Sequence, residues 1–243
     1  MKLPRFLIPL AILSSWAIYC QPAADPSLVL QVASDHADYV LGQPVVLTFR
    51  LSPSSAPVQV PNRLSVEQGN IAVLISSGSG YSEYRGPGWG VKTAIQKTVT
   101  LAQGQAIEAQ VIILINMIAA PGQGGAAGTG IGYLFPQAGA FLMKGVYRSP
   151  ASGAETESAP ISVVIHDPVA SDQPVWNVLR ADPRLGYLIQ TGVLPGYMSS
   201  ADEDAVVQTL KNLLQLYPTS VYQPWIATAL DQLSKFLAIQ RSN

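Results

Sequence analysis

From Ala140 to Arg148 the chain alternates without a break. Phe141, Met143, Gly145 and Tyr147 fall on one face, and Ala140, Leu142, Lys144, Val146 and Arg148 on the other. A period of two separates an inner from an outer face only when the backbone is extended, so this stretch must be a half-buried strand rather than a helix. Together with the turn-forming Pro136-Gln137-Ala138-Gly139 and the short run before it, it predicts a hairpin over Gly132 to Pro150.

The rest of the first two thirds obeys the same rule. Val45, Leu47, Phe49 and Leu51 alternate with Val46, Thr48 and Arg50, and the segment is rich in β-branched residues. Further strands are expected at Leu28 to Val32, Tyr39 to Leu41, Val58 to Val60, Ile71 to Ile75, Thr93 to Leu101, Ala106 to Asn116 and Ile161 to Ile165. Turn residues interrupt them about every ten positions, the spacing of an antiparallel all-β domain. No helical pattern separates them to suggest a parallel sheet. At 243 residues, 48% hydrophobic and 12% charged, the chain has enough apolar side chains for one large core.

After Pro168 the period changes. Pro174 to Gln190 reads as two short helices broken at Asp182-Pro183, because proline removes a helix hydrogen bond. Ser200 with Glu203 fits a capping box, followed by the stripe Val206, Leu210, Leu213, Leu214 and Tyr217. Pro218 ends that helix, and Pro224 opens a last one with Ile226, Ala229, Leu230, Leu233 and Leu237 on its inner face. Two readings of this tail compete: its apolar stripes and Trp176, Leu179 and Leu188 bury themselves, or an exposed strip recruits a partner. Self-burial is the expectation.

The first residues point to export. Lys2 and Arg5 precede the apolar run Phe6 to Tyr19, which is short for a membrane span and right for a signal sequence. Residues 1–24 are therefore expected to be a signal peptide, leaving no transmembrane span after its removal. Without Lys2 and Arg5, 12 basic residues face 15 acidic ones, a formal charge of −3. Cys20 is the sole cysteine, and Ile18 and Tyr19 before it do not fit a lipobox, so loss with the signal is expected over lipidation. Nothing basic enough for nucleic acid or an anionic membrane surface occurs.

The run Tyr39 to Leu51 (YVLGQPVVLTFRL), the turn Thr100 to Gly104, and Leu134 to Phe141 with Tyr147 to Pro150 together resemble a recurring pattern. It is that of immunoglobulin-like β-sandwich domains in poorly characterised secreted bacterial proteins, some of which precede exported peptidases. The resemblance spans about Leu28 to His166 and implies a scaffold or accessory module. The expected organisation is mainly β: an immunoglobulin-like antiparallel β-sandwich at 26–168 and a C-terminal helical region at 169–243. Leu213 to Tyr222 is similar to the turn of a tetratricopeptide helix pair, but one pair makes no array.

No nucleophile elbow, HExxH, CxxC or P-loop is present, so no catalytic, cofactor-binding or metal-binding residue is assigned and a non-enzymatic protein is expected. His36 and His166 each lie beside an aspartate and read as turn residues at strand ends. Gly122, Gly124 and Ala127 match GxGxxA without the helix that a dinucleotide needs. The glycine-rich loop from Ser76 to Gly90 carries Tyr81, Tyr84 and Trp89, candidate ligand-binding rings on which a sugar or peptide could stack. Gly122 to Gly125 and Tyr147 to Pro150 faintly resemble two loops of chagasin-like protease inhibitors. The expected role is binding or scaffolding in the periplasm or outside the cell, with another envelope or extracellular protein as partner. The alternatives are a carbohydrate-binding module and a protease inhibitor.

Overall fold

The computed structural model describes residues 27–88, 97–119 and 129–242. The chain runs through β1 (Leu28–Ser34), β2 (Asp38–Val40), β3 (Val45–Pro53), β4 (Val58–Pro61), β5 (Ile71–Ser76), β6 (Ser82–Glu83), β7 (Thr98–Leu101) and β8 (Ile107–Ile113). It continues through β9 (Ile115–Ala119), β10 (Thr129–Tyr133), β11 (Gly139–Arg148), β12 (Glu155–Glu157) and β13 (Ile161–His166), and closes with α1 (Gln173–Ala181), α2 (Pro183–Thr191), α3 (Ser200–Leu216) and α4 (Gln223–Ser242). Among the described residues the protein is mainly β, with four helices at the C-terminal end.

Strands order as β1-β3-β8 in one sheet and β2-β13-β11-β5-β6 in another, with β12 beside β11. The alternation that organised the sequence is realised in the first part of β11: Met143, Gly145 and Tyr147 are buried, whereas Ala140 and Leu142 face out. Val146, expected on the outer face, is buried as well, where β11 runs between β5 and β12. At Gly145 the two sheets nearly touch: a Cβ there would lie 2.5 Å from Phe49 of β3 and 3.2 Å from Leu30 of β1. Around that contact Leu47, Phe49 and Leu51 are fully enclosed, each burial contributing about 1.5–3 kcal/mol.

Pairing departs from the expected hairpin at Gly132 to Pro150. β10 pairs with β9, and β11 lies between β5 and β13. The Pro136 turn therefore carries the chain out of one sheet and into another. The long apolar run at Ala106 to Asn116 also splits at Leu114. Its partner β3 begins at Val45, opposite Ile113, so beyond that point the chain must find a new neighbour and takes β10. Among the described strands one pair is parallel, β2 with β13, which the turn spacing did not anticipate.

The helices follow the sequence closely. Asp182 separates α1 from α2, and its carboxylate accepts from the Arg184 N–H at 3.1 Å, capping α2. The α3 cap is Ser199 rather than Ser200; its hydroxyl accepts from Asp202 N–H, so the box starts one residue early. Val206, Leu210 and Leu213 of α3 and Ile226, Ala229 and Leu233 of α4 are buried, as are Trp176, Leu179 and Leu188. These residues and both sheets form one continuous core.

The close approach at Gly145 makes a test. Gly145→Ala should destabilise the protein by about 1–3 kcal/mol in chemical denaturation, because Phe49 has no free space to retreat into. Gly196→Ala, where nothing lies within 4 Å and φ is not positive, should leave the midpoint unchanged. Equal midpoints for the two variants would contradict the packing described.

Candidate functional site

The aromatic loop divides. Tyr81 is 41% exposed, and Lys144 places its ammonium 4.8 Å from the ring centroid while pairing with Glu157. Tyr84 is not a surface ring: it is 3% exposed and belongs to the core. The reason is local. Tyr84 N–H donates to Val73 O at 2.8 Å, which keeps the chain against the edge of β5 just past β6. The side chain there points inward, and its hydroxyl accepts from Gln190 Nε2 at 2.7 Å. Gly86 lies against the same hydroxyl with no room for a Cβ. The glycine spacing could not reveal this, because the helix that covers Tyr84 comes a hundred residues later. Trp89 lies outside the described residues, as do Gly122, Gly124 and Ala127.

The remaining sequence candidates are resolved by the sheets. Parallel pairing of β2 with β13 sets His166 Nε2 2.7 Å from Asp38 Oδ1. His36 contacts Asp35 at 3.7 Å and meets the Tyr39 ring edge-on. Both pairs are exposed, and no group of three His, Cys, Asp or Glu side chains is arranged for a metal among the described residues. Tyr147 is buried within β11, and the Arg148 guanidinium is held by Glu83 at 2.8 Å and Glu155 at 3.0 Å.

What the structure brings together instead is a seam between sheets and helices. Gln190, in the last turn of α2, accepts from Leu114 N–H at 3.0 Å and Ile115 N–H at 2.7 Å, where β8 gives way to β9. Tyr133 Oη donates to Leu179 O at 3.1 Å, and Tyr222 Oη donates to Leu41 O at 2.5 Å. Trp176 packs edge-on to Tyr133 at 4.9 Å and covers Gly42, whose φ of 80° and lack of Cβ allow the turn after β2 to pass beneath the indole. Asp172 turns its carboxylate away from α1 and accepts from Ser220 Oγ at 2.7 Å and Val221 N–H at 3.2 Å.

This seam leaves a cleft of about 720 Å³ open to solvent. Tyr133 and Trp176 form its aromatic wall, Gln137, Asp167 and Gln173 add polar groups, and Arg180 stands in the last turn of α1. Such a mixture suits an amphipathic ligand: apolar wall for packing, a few polar groups for orientation. Trp176 was legible as an apolar helix residue; that Tyr133 would join it depends on the β9–β10 pairing.

Burial raises the pKa of six phenols, Tyr39, Tyr84, Tyr133, Tyr187, Tyr197 and Tyr222, and Tyr39 reaches about 12. A folded-state pKa above the unfolded one, about 10, gives stability that is complete below pH 10 and lost as pH climbs toward and past 12. Alkaline titration should show phenolate absorbance and loss of near-ultraviolet circular dichroism rising together above pH 10; ionisation of all the tyrosines near pH 10 with intact dichroism would contradict the burial. At the seam itself, Gln190→Ala leaves two backbone donors unsatisfied and should cost at least about 2 kcal/mol. Gln190→Glu keeps the acceptor and should recover part of it in the same denaturation assay.

No protein-family model matches the chain, and no curated protein matches it. Among solved structures it is similar to the sporulation control protein Spo0M from Bacillus subtilis, with a TM-score of 0.34 and 7% identity over 64% of this chain and 55% of that one. A β-glucosidase from Erythrobacter marinus gives 0.30 and 11% over 58% of this chain and 15% of that one. One from Listeria innocua, in complex with isofagomine, gives 0.29 and 9% over 58% and 16%. The chain thus spans about half the length of the first and a small part of the other two.

Proposed function

We propose that this chain is an exported, non-enzymatic binding or scaffold protein of the bacterial cell envelope that acts through protein–protein contacts on an immunoglobulin-like sandwich. The strand order supports the fold. In the lettering of such domains, β1-β3-β8 corresponds to A-B-E and β13-β11-β5-β6 to G-F-C-C′. β4 and β7 depart from it by pairing with each other. Export rests on Lys2, Arg5 and the apolar run Phe6 to Tyr19, and with it the placement in the periplasm or beyond.

The observation that carries the binding reading is on α4. Its apolar stripe, Ile226, Ala229, Leu230 and Leu233, is packed in the core, and the same spacing continues through Phe236 and Leu237, which the described residues leave partly uncovered. Phe236 is 41% exposed, Leu237 38% and Ile239 62%. Apolar side chains kept in water on a regular element mark a contact surface. The carbohydrate alternative retains only Tyr81 among the described rings, and the inhibitor alternative has Tyr147 buried; neither gains support.

A photo-crosslinking side chain at Phe236, in cells that make the protein, should form an adduct with an envelope protein. Phe236→Asp with Leu237→Asp should abolish co-purification of that protein without lowering the melting temperature. If Phe236 forms no adduct, or if the double variant co-purifies the partner as well as the natural sequence does, the reading fails.

A further inference from the structure

We propose that the cleft beside α1 is a binding site for an extended peptide segment, taken up by strand addition to the free edge of β10 and bearing an acidic side chain for Arg180. This deepens the protein-binding reading and rests on it, but uses a surface other than the end of α4.

The pairing of β9 with β10 identifies the edge. Leu134 N–H donates to Leu114 O at 2.8 Å, in register with the ladder that sets Gly132 opposite Asn116 and Gly130 opposite Ile118. Residues of an antiparallel pair alternate between exchanging bonds with their partner and facing away from it. Ile131 and Tyr133 therefore direct their N–H and C=O groups away from β9. On β9 the same alternation is answered: Met117 N–H donates to Arg85 O and Ile115 N–H to Gln190. On β10 the outward groups of Ile131 and Tyr133 have no hydrogen-bond partner among the described residues. An extended backbone is the chemical complement of such a row.

The cleft meets that edge at Tyr133, with Gly132 beside it and α1 on the other side, and Ile131 continues the edge just beyond the lining. Gly132 has no side chain to hold an incoming backbone away. Asp167 lies in the link just after β13, Gln173 opens α1 and Arg180 stands in its last turn, and neither Asp167 nor Arg180 has an ion-pair partner among the described residues. A helix of nine residues is about 13 Å long, which about four extended residues span. The segment can then pair with Ile131 and Tyr133, pack one side chain on Trp176 and set a carboxylate at Arg180, where a guanidinium offers paired donors.

A library of 12-residue peptides displayed on phage, panned against the whole folded protein, should enrich sequences with a shared acidic position. A synthetic peptide from that set should slow amide hydrogen exchange at Ile131 and Tyr133. Its Kd should weaken at least tenfold in Arg180→Ala. Ile131→Pro removes an outward N–H at an edge position where proline is tolerated, and should weaken binding similarly. Should that variant unfold, exchange at the two amides of the natural sequence decides in its place. No enrichment over a bare-surface control, unchanged affinity in Arg180→Ala, or protection confined to other amides would each overturn the site. Adducts from Phe236 that persist in Arg180→Ala would then leave the binding reading standing while this one falls.

Discussion

The structure depends on one side-chain amide. At Leu114 the backbone leaves its pairing with β3 and passes to the β10 side, where Leu134 takes up the Leu114 carbonyl but the N–H groups of Leu114 and Ile115 have no strand partner among the described residues. Buried donors left open in this way are costly, and a strand cannot bend here unless something else accepts. Gln190 accepts both and donates to Tyr84 with its other end. By satisfying the break it fixes where α2 lies, and α2 in turn covers Tyr84, Tyr133 and Ile115. Helices and sheets are thus joined by hydrogen bonds that neither could supply alone, and the cleft is the space left over at that junction.

Side-chain polar groups reaching into the backbone recur along the seam. Tyr222 and Tyr133 donate to carbonyls of the opposite layer, and Asp172 collects a hydroxyl and an amide from the turn before α4. Each is satisfied within the protein, which is how buried polar atoms become specifying rather than destabilising. Apolar contact alone would allow the helices to slide over the sheet ends. These bonds permit one placement, and so give the cleft walls a fixed shape.

Local periodicity carried much of the fold into the sequence. The division of α1 from α2 at Asp182 and most of the faces of β11, α3 and α4 follow from spacing within one element, whereas Val146, buried against expectation, and Leu237, exposed against it, do not. What spacing could not carry was partnership between elements. β10 and β11 flank a turn that looks like a hairpin, yet each prefers a strand elsewhere, because β5 and β13 offer β11 two longer neighbours. Tyr84 stands among glycines and polar residues, as an exposed ring would, and only Gln190 and Gly86 make it a core residue. The cleft was hidden for the same reason: Tyr133, Asp167 and Arg180 are unremarkable singly and meet only through tertiary contacts.

The parallel pairing of β2 with β13 bears on the order in which the molecule can be completed. Asp38 and His166 are 128 positions apart, and Leu41 waits still longer for Tyr222, 181 positions on. The strip from Asp38 to Gly42 is therefore made early and covered last. Loops of this size close slowly. Until synthesis has passed Tyr222, the turn beneath Trp176 remains open, and a chain stopped before that point would present an unfinished edge to whatever machinery meets it.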